Sequence, residues 1–307
     1  MGRKNARALN GILLLDKPLD VSSNGILQRV RWLYQAQKAG HTGALDPMAS
    51  GLLPICFGEA TKFSQFLLDT DKTYQVSAKF GIRTATSDAE GEVISEKPVT
   101  FSQTELETAL QQFRGDILQV PTMFSALKYQ GQPLYRYARQ GIEVPREARP
   151  ISIFRFELLA MTGDTADFVV HCSKGTYIRT LIDDLGELLG CGAHVSRLHR
   201  TQVGPFVAAQ MVTPAQLDAL AEQCHQSGDF SAMDALLLPM DAGIADMAYI
   251  SLTQAEQHRL QHGQSCPVEH GDIDAIKLHG ADGRFFGIGK VEQGILSSRR
   301  LLNTAAL

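Results

Sequence analysis

Short apolar strands and helices alternate along this 307-residue chain without the regular spacing that βαβ units need, and this irregularity limits the fold most. GILLLDKP at 11–18 reads as a buried strand ended by Pro18. Ser22 or Ser23 then caps a helix with Ile26, Val30, Leu33 and Tyr34 on one face. Ala60, Phe63 and Leu67 mark a short helix, and Lys72–Phe80 alternates as a strand with Tyr74, Val76, Ala78 and Phe80 on one side. Ser102-Gln103-Thr104-Glu105 is a capping box, and Gly115 closes its helix. Strands follow at Ile151–Leu159 and Phe168–Cys172. The clearest helix places Ile178, Leu181, Ile182, Leu185, Leu188 and Leu189 at helical spacing before Gly190 and Gly192. His194–Arg200 reads as a further strand, and Thr213-Pro214 starts an acidic helix. The pattern predicts an α+β (mixed) fold around a mostly antiparallel sheet.

Lys38–Lys62, KAGHTGALDPMASGLLPICFGEATK, stands apart from this framework. Gly40, Gly43 and Gly51 surround one carboxylate, Asp46, which is followed at once by Pro47. Glycine lets backbone come close to a ligand, and the proline biases Asp46 toward stiff, extended backbone. Taken alone, Asp-Pro among glycines is also ordinary turn punctuation.

The net charge of −4 hides an asymmetry. Residues 1–40 carry seven Lys or Arg (Arg3, Lys4, Arg7, Lys17, Arg29, Arg31, Lys38) against two Asp, whereas 201–258 carry seven acids and no Lys or Arg. One face can therefore attract phosphate while another repels it. Beyond Pro121, Lys128, Arg136, Arg139, Arg146 and Arg149 alternate with Tyr129, Tyr135 and Tyr137, a pattern suited to RNA phosphates and unstacked bases. No apolar run reaches membrane-spanning length, and MGRKNARALN has no apolar stretch behind it, so neither membrane insertion nor a signal peptide is expected. Five scattered cysteines without a CxxC pair fit reduced thiols in a cytoplasm. His258 and His262 have metal-ligand spacing, but no Glu completes an HExxH motif and a solvated helix face is expected, so no metal is assigned.

The Lys38–Lys62 string, with KTYQV, VPTMFSALKYQG, YARQGIEV and CSKGTYIRTLIDDLGELLG in that order, resembles the bacterial tRNA pseudouridine synthases that modify uridine 55 in the TΨC loop. The likeness spans most of residues 10–205. It implies a catalytic domain over 1–249 with a mobile thumb at about 122–150, and over 250–307 a small β-barrel module resembling the PUA RNA-binding domain. It implies Asp46 as nucleophile and Arg179 as its ion-pair partner. A cation in the first turn of a helix opposes the local dipole and so needs a partner of this kind. Tyr74, by pattern a core aromatic, is implied to lie beside the base and share in proton transfer. Tyr177 and Leu198 are implied to touch the base, and His41 to hold the opened RNA loop. His199 stands where many relatives have Arg, and Ala85 where they usually have Asp. No cofactor, membrane or protein partner is implied. The expected partner is the tRNA TΨC stem-loop, bound by a cytoplasmic monomer. Two other classes compete: a non-catalytic tRNA-binding or RNA-folding module, and a glycosidase, which would need a second placed carboxylate.

Overall fold

The computed structural model describes residues 6–303; Arg3 and Lys4 of the basic segment lie outside them. Gly11–Lys17 (β1) is the buried strand expected before Pro18. Ser22 caps α1 (Ser23–Leu33) by accepting from Gly25 N, and Ile26, Val30 and Leu33 are buried. Ala39–His41 (β2) and Ala49–Phe57 (β3) flank the loop that carries Asp46. A short 3-10 turn at Gly58–Phe63 runs into α2 (Ser64–Leu68), and Lys72–Phe80 (β4) alternates as read from the sequence.

A small hairpin, Ile82–Thr84 (β5) with Val93–Glu96 (β6), precedes α3 (Gln103–Gln111), whose capping box at Ser102 and Glu105 forms as expected. Gly115–Gln119 (β7) leads to the thumb segment, made of Lys128–Tyr129 (β8), Gln132–Pro133 (β9) and α4 (Leu134–Ala138). The long strand Arg149–Thr162 (β10) and Thr165–Cys172 (β11) return to the sheet before α5 (Ile178–Leu188). Then come Ala193–Val203 (β12), Phe206–Val207 (β13), α6 (Pro214–Ser227) and α7 (Ser231–Asp234).

Nine of these strands form one sheet in the order β1-β3-β12-β4-β11-β10-β7, with β2 on β3 and β13 on β12, while β5–β6 and β8–β9 pair separately. Only the β3–β12 contact is parallel, so the sheet is mostly antiparallel as expected. Helix α5 lays Ile178, Leu181, Ile182 and Leu185 against β4, β11 and β12, each buried side chain contributing about 1.5–3 kcal/mol. A second core joins α1 and α6 to β1 and β3.

At the parallel contact Gly51 lies opposite Arg200 with φ +102, and a Cβ there would meet Arg200 O at 2.3 Å. Gly51→Ala is expected to cost roughly 3 kcal/mol or more, because strained backbone and a backbone clash add. Urea unfolding checks this; a loss below about 1 kcal/mol would contradict the close approach.

The C-terminal segment runs Tyr249–Ser251 (β14), α8 (Gln254–Gln261), Cys266–Pro267 (β15), Ile273–His279 (β16), Phe285–Glu292 (β17) and Ile295–Leu301 (β18). Its strands order as β14-β16-β17-β18-β15, a curled five-strand half-barrel of the PUA-like kind expected, around its own apolar core. Phe63 and Ile244 pack on Ile288 and Leu302, and Lys62 Nζ donates to Leu301 O at 2.8 Å, so this unit is seated on the rest of the chain.

Candidate active site

Asp46 owes its place to a loop tied down at both ends. Ser23, at the start of α1, donates to Leu45 O and accepts from Leu45 N at 2.9 and 2.7 Å. Lys17, wholly buried at the end of β1, donates to Ala49 O at 2.7 Å on the far side of Pro47. Burial pushes the Lys17 ammonium down to about 8, against the pull of Asp46. Backbone around one carboxylate is thus pinned by the first residue of a helix and a buried cation.

Arg179 reaches Asp46 from the first turn of α5, with Nε 2.9 Å from Oδ2. The pairing implied by the resemblance is present, but it is half of a larger set. Nη1 lies 3.0 Å from Asp88 Oδ2 and donates to Thr86 O, while Nη2 donates to Phe124 O at 2.8 Å. Thr86 Oγ1 and Glu90 N in turn donate to Asp88 Oδ1. The guanidinium therefore bridges two carboxylates and two carbonyls. Asp88 is 4% exposed and Arg179 7%, whereas the Asp46 side chain stays 43% exposed. Of the two acids, the open one can meet a substrate.

Burial moves the Asp46 carboxyl above the ordinary aspartate range; Arg179 and Lys17 oppose that shift and Asp88 adds to it. Arg179 thus offsets part of the desolvation rather than all of it, since a second acid shares its charge.

A cavity of about 340 Å³ opens over Asp46, lined among others by Tyr74, Tyr177, Arg179, Leu198 and Arg200. Four expected residues (Tyr74, Tyr177, Arg179 and Leu198) therefore converge with Asp46. Gln119 holds Tyr177 at the entry to α5, accepting from its N at 2.8 Å and donating to its O at 3.1 Å. Lys72 also lines the cavity; burial brings its ammonium down to about 8, and its Nζ donates to Leu68 O at 2.8 Å. Lys17, Lys72, Arg179 and Arg200 make the surroundings of the two carboxylates cationic, which suits a base flanked by phosphates.

His41 does not line this cavity. It sits on β2, where burial and the Arg200 charge lower its proton affinity, and its buried Nδ1 finds no partner among the described residues. His199, in place of the usual Arg, accepts from or donates to Ser50 Oγ at 2.9 Å. The cationic face of α1 is committed within the chain: Arg29 pairs with Asp218 and Arg31 donates to Ala36 O and Gln37 O. In the thumb, Tyr129 and Tyr137 meet edge to face at 6.0 Å, and Arg139 lies over Tyr135. The His258 and His262 rings meet at a tilt with centroids 4.1 Å apart, and no group of three His, Cys, Asp or Glu among the described residues is placed to hold a metal.

Asp88 and Arg200 are the residues that sequence reasoning missed. Asp88 lies in TATSDAEGE, where an acid looks like plain turn chemistry. Arg200 had a signal: it is two residues from Leu198 on one strand and so shares its inward face.

Known proteins resemble nearly all of the chain. Family models described as "TruB family pseudouridylate synthase (N terminal domain)", "tRNA pseudouridylate synthase B C-terminal domain" and "Pseudouridine synthase II TruB, C-terminal" match residues 31–178, 179–245 and 248–302. A tRNA pseudouridine synthase B of Shewanella sp. (strain W3-18-1) is 54% identical over 98% of this chain and 96% of its own length. That of Psychromonas ingrahamii is 52% identical over 98% and 99%. Among solved structures, a chain of a Cbf5-Nop10-Gar1 complex shares the fold with a TM-score of 0.75 at 23% identity, covering 96% of this chain and 85% of that one. Among the described residues no helix is long and apolar enough to cross a membrane.

Proposed function

The chain belongs to the TruB family of pseudouridylate synthases, and from that premise we propose that it isomerises uridine 55 in the TΨC loop of tRNA to pseudouridine, with Asp46 as nucleophile. The carrying observation is the half-open Asp46 carboxylate, ion-paired to a buried arginine at the floor of a cavity fit for one flipped base.

The reaction breaks the N1–C1′ bond, turns the base, and joins C5 to C1′. C5 loses a proton and N1 gains one, so nothing is oxidised and no activated donor is consumed. Asp46 supplies the anion that stabilises or captures the sugar or base during transfer. Arg179 keeps that anion available inside a desolvating wall. Tyr74 stacks on the base and handles the proton at C5, with Tyr177 and Leu198 as the remaining walls. His41, outside the cavity, holds the opened RNA loop.

Residues 1–249, with the thumb at about 122–150, form the catalytic domain in this reading, and 250–307 a PUA-like RNA-binding unit. The protein works in the cytoplasm as a monomer with tRNA as its one partner. Exposed Lys128, Arg136 and Arg139 in the thumb support an electrostatic RNA footprint. With about four to six phosphates contacted, log K should fall with log [salt] at a slope near −3 to −5; a flat response in filter binding would count against the footprint.

Tritium release from tRNA labelled at uridine C5 tests the reaction class. Isomerisation frees the label, whereas a non-catalytic RNA-binding module or an N-glycosidase leaves it on the base.

A further inference from the structure

Tyr177 occupies the N-cap position of α5, with extended backbone and no side-chain cap of its own. A short polar residue usually fills that position and bonds the first turn, as Ser22, Ser102 and Thr213 do on other helices of this chain. Here the position carries a large ring that lines the Asp46 cavity instead. Its backbone is secured from elsewhere. The Gln119 amide accepts from Tyr177 N at 2.8 Å and donates to Tyr177 O at 3.1 Å, so one side chain holds both backbone polar groups of one residue. Gln119 ends β7 and is 3% exposed, a burial at which an amide needs both kinds of partner. It is also the root of the thumb segment: Gln119 pairs with Arg149 at the last rung of β7 on β10, and the thumb runs between them. Within that segment Phe124 O accepts from Arg179 Nη2 at 2.8 Å. The entry to α5 is thus held to the thumb root at two points, the backbone of Tyr177 and the side chain of Arg179.

We propose that Gln119 is the positioning residue of Tyr177: by clamping its backbone N and O, it frees the helix N-cap position for an aromatic ring and holds that ring as a wall against the flipped base. This rests on the isomerase reading above. A side chain at a helix entry is only as fixed as the φ and ψ from which its rotamer starts. Loosening the Tyr177 backbone therefore lets the ring drift, and a misplaced wall costs rate even where binding survives. Arg179, two residues further on, is held independently by two carboxylates and two carbonyls. Loss of the clamp thus moves the ring and leaves the ion pair with Asp46 in place. A clamp that served the fold alone would register in the melting temperature and not in the rate of the folded protein.

The test compares Gln119→Met, which keeps the length and loses both hydrogen bonds, with Gln119→Glu, which keeps only the acceptor. Each is made in the parent and in a Tyr177→Ala background. Single-turnover tritium release from tRNA at saturating enzyme is read across pH, beside filter binding and a thermal melt. In the parent, Met should slow the reaction about 30-fold and Glu about 10-fold, with Kd held within about threefold and the acid limb of the pH–rate profile unmoved. In the Tyr177→Ala background the same changes should cost less than about threefold, because the ring they act through is gone. Equal losses in both backgrounds would overturn the Gln119 proposal and leave the isomerase reading standing. So would an acid limb moved upward, which would route the effect through Arg179, or turnover by Gln119→Met or Tyr177→Ala within about threefold of the parent. Fluorine NMR on protein labelled with fluorotyrosine reads the ring without turnover, and decides if Tyr177→Ala is too slow to time. The Tyr177 resonance, assigned with Tyr177→Phe, should be one narrow line in the parent and should broaden or split in Gln119→Met; an unchanged line overturns the proposal. If neither Gln119 variant folds, the clamp serves the fold itself and the proposal fails. A parent that releases no tritium would instead sink the reaction, and this proposal with it.

Discussion

Asp46→Asn is expected to slow pseudouridine formation at least about 10³-fold, or roughly 4 kcal/mol of transition-state stabilisation, while tRNA binding stays near that of the parent. Asn keeps the size and hydrogen bonding of the side chain but removes the anion. The variant should remain as stable as the parent or gain a few degrees in Tm. An acid whose carboxyl is raised in the fold is favoured when protonated, so its contribution to stability falls as pH rises from the unfolded value through the folded one. At neutral pH a neutral Asn removes that penalty. Arg179 is not left bare either, since Asp88, Thr86 O and Phe124 O still hold it. Asn can deamidate back to Asp, so Asp46→Ala is measured in parallel. A sharp drop in Tm for both would show that the Asp46–Arg179 contact carries more of the fold than its half-open setting implies.

Arg179→Ala should fail in two ways at once. Asp88 is buried and would keep only Thr86 Oγ1 and Glu90 N as partners, so stability should fall by about 3–5 kcal/mol. Asp46 would lose the main group that lowers its proton affinity, so the acid limb of the pH–rate profile should move upward. Rate at neutral pH should drop on the order of 10²–10³-fold. Arg179→Lys should recover little, because one ammonium cannot span two carboxylates and two carbonyls at once. Urea unfolding and single-turnover rates across pH read both effects; an unmoved acid limb would mean that Arg179 does not set the ionisation of Asp46.

Much of the fold was legible because local signals and tertiary packing agree. Alternation in Lys72–Phe80 gave the central strand, and helical spacing from Ile178 to Leu189 gave α5. The capping residues at Ser22, Ser102 and Thr213 marked helix starts where the structure has them. Buried ionic chemistry was less legible. Asp88 becomes interior only because the hairpin turn folds onto α5, which no local pattern encodes. Lys17 ends an otherwise apolar strand and counts among the basic residues of 1–40, yet it is wholly buried under the Asp46 loop. Arg29 and Arg31 show the converse. They look free for phosphate on a helical wheel, but α6 and the segment that follows α1 already bond them. The motif around Asp46 singled out the loop of the proposed nucleophile, while the partners that set its charge came from distant segments.

Isomerisation of uridine 55 through Asp46 is open to a direct measurement. The most direct measurement is tritium release from tRNA labelled at uridine C5, under single-turnover conditions, beside the same tRNA with cytidine at position 55. About one equivalent of tritium per tRNA is expected from the first, none above background from the second, and none on that timescale from Asp46→Ala. Equal release from both tRNAs would contradict the assignment of position 55, and release by Asp46→Ala within about tenfold of the parent rate would contradict the nucleophile.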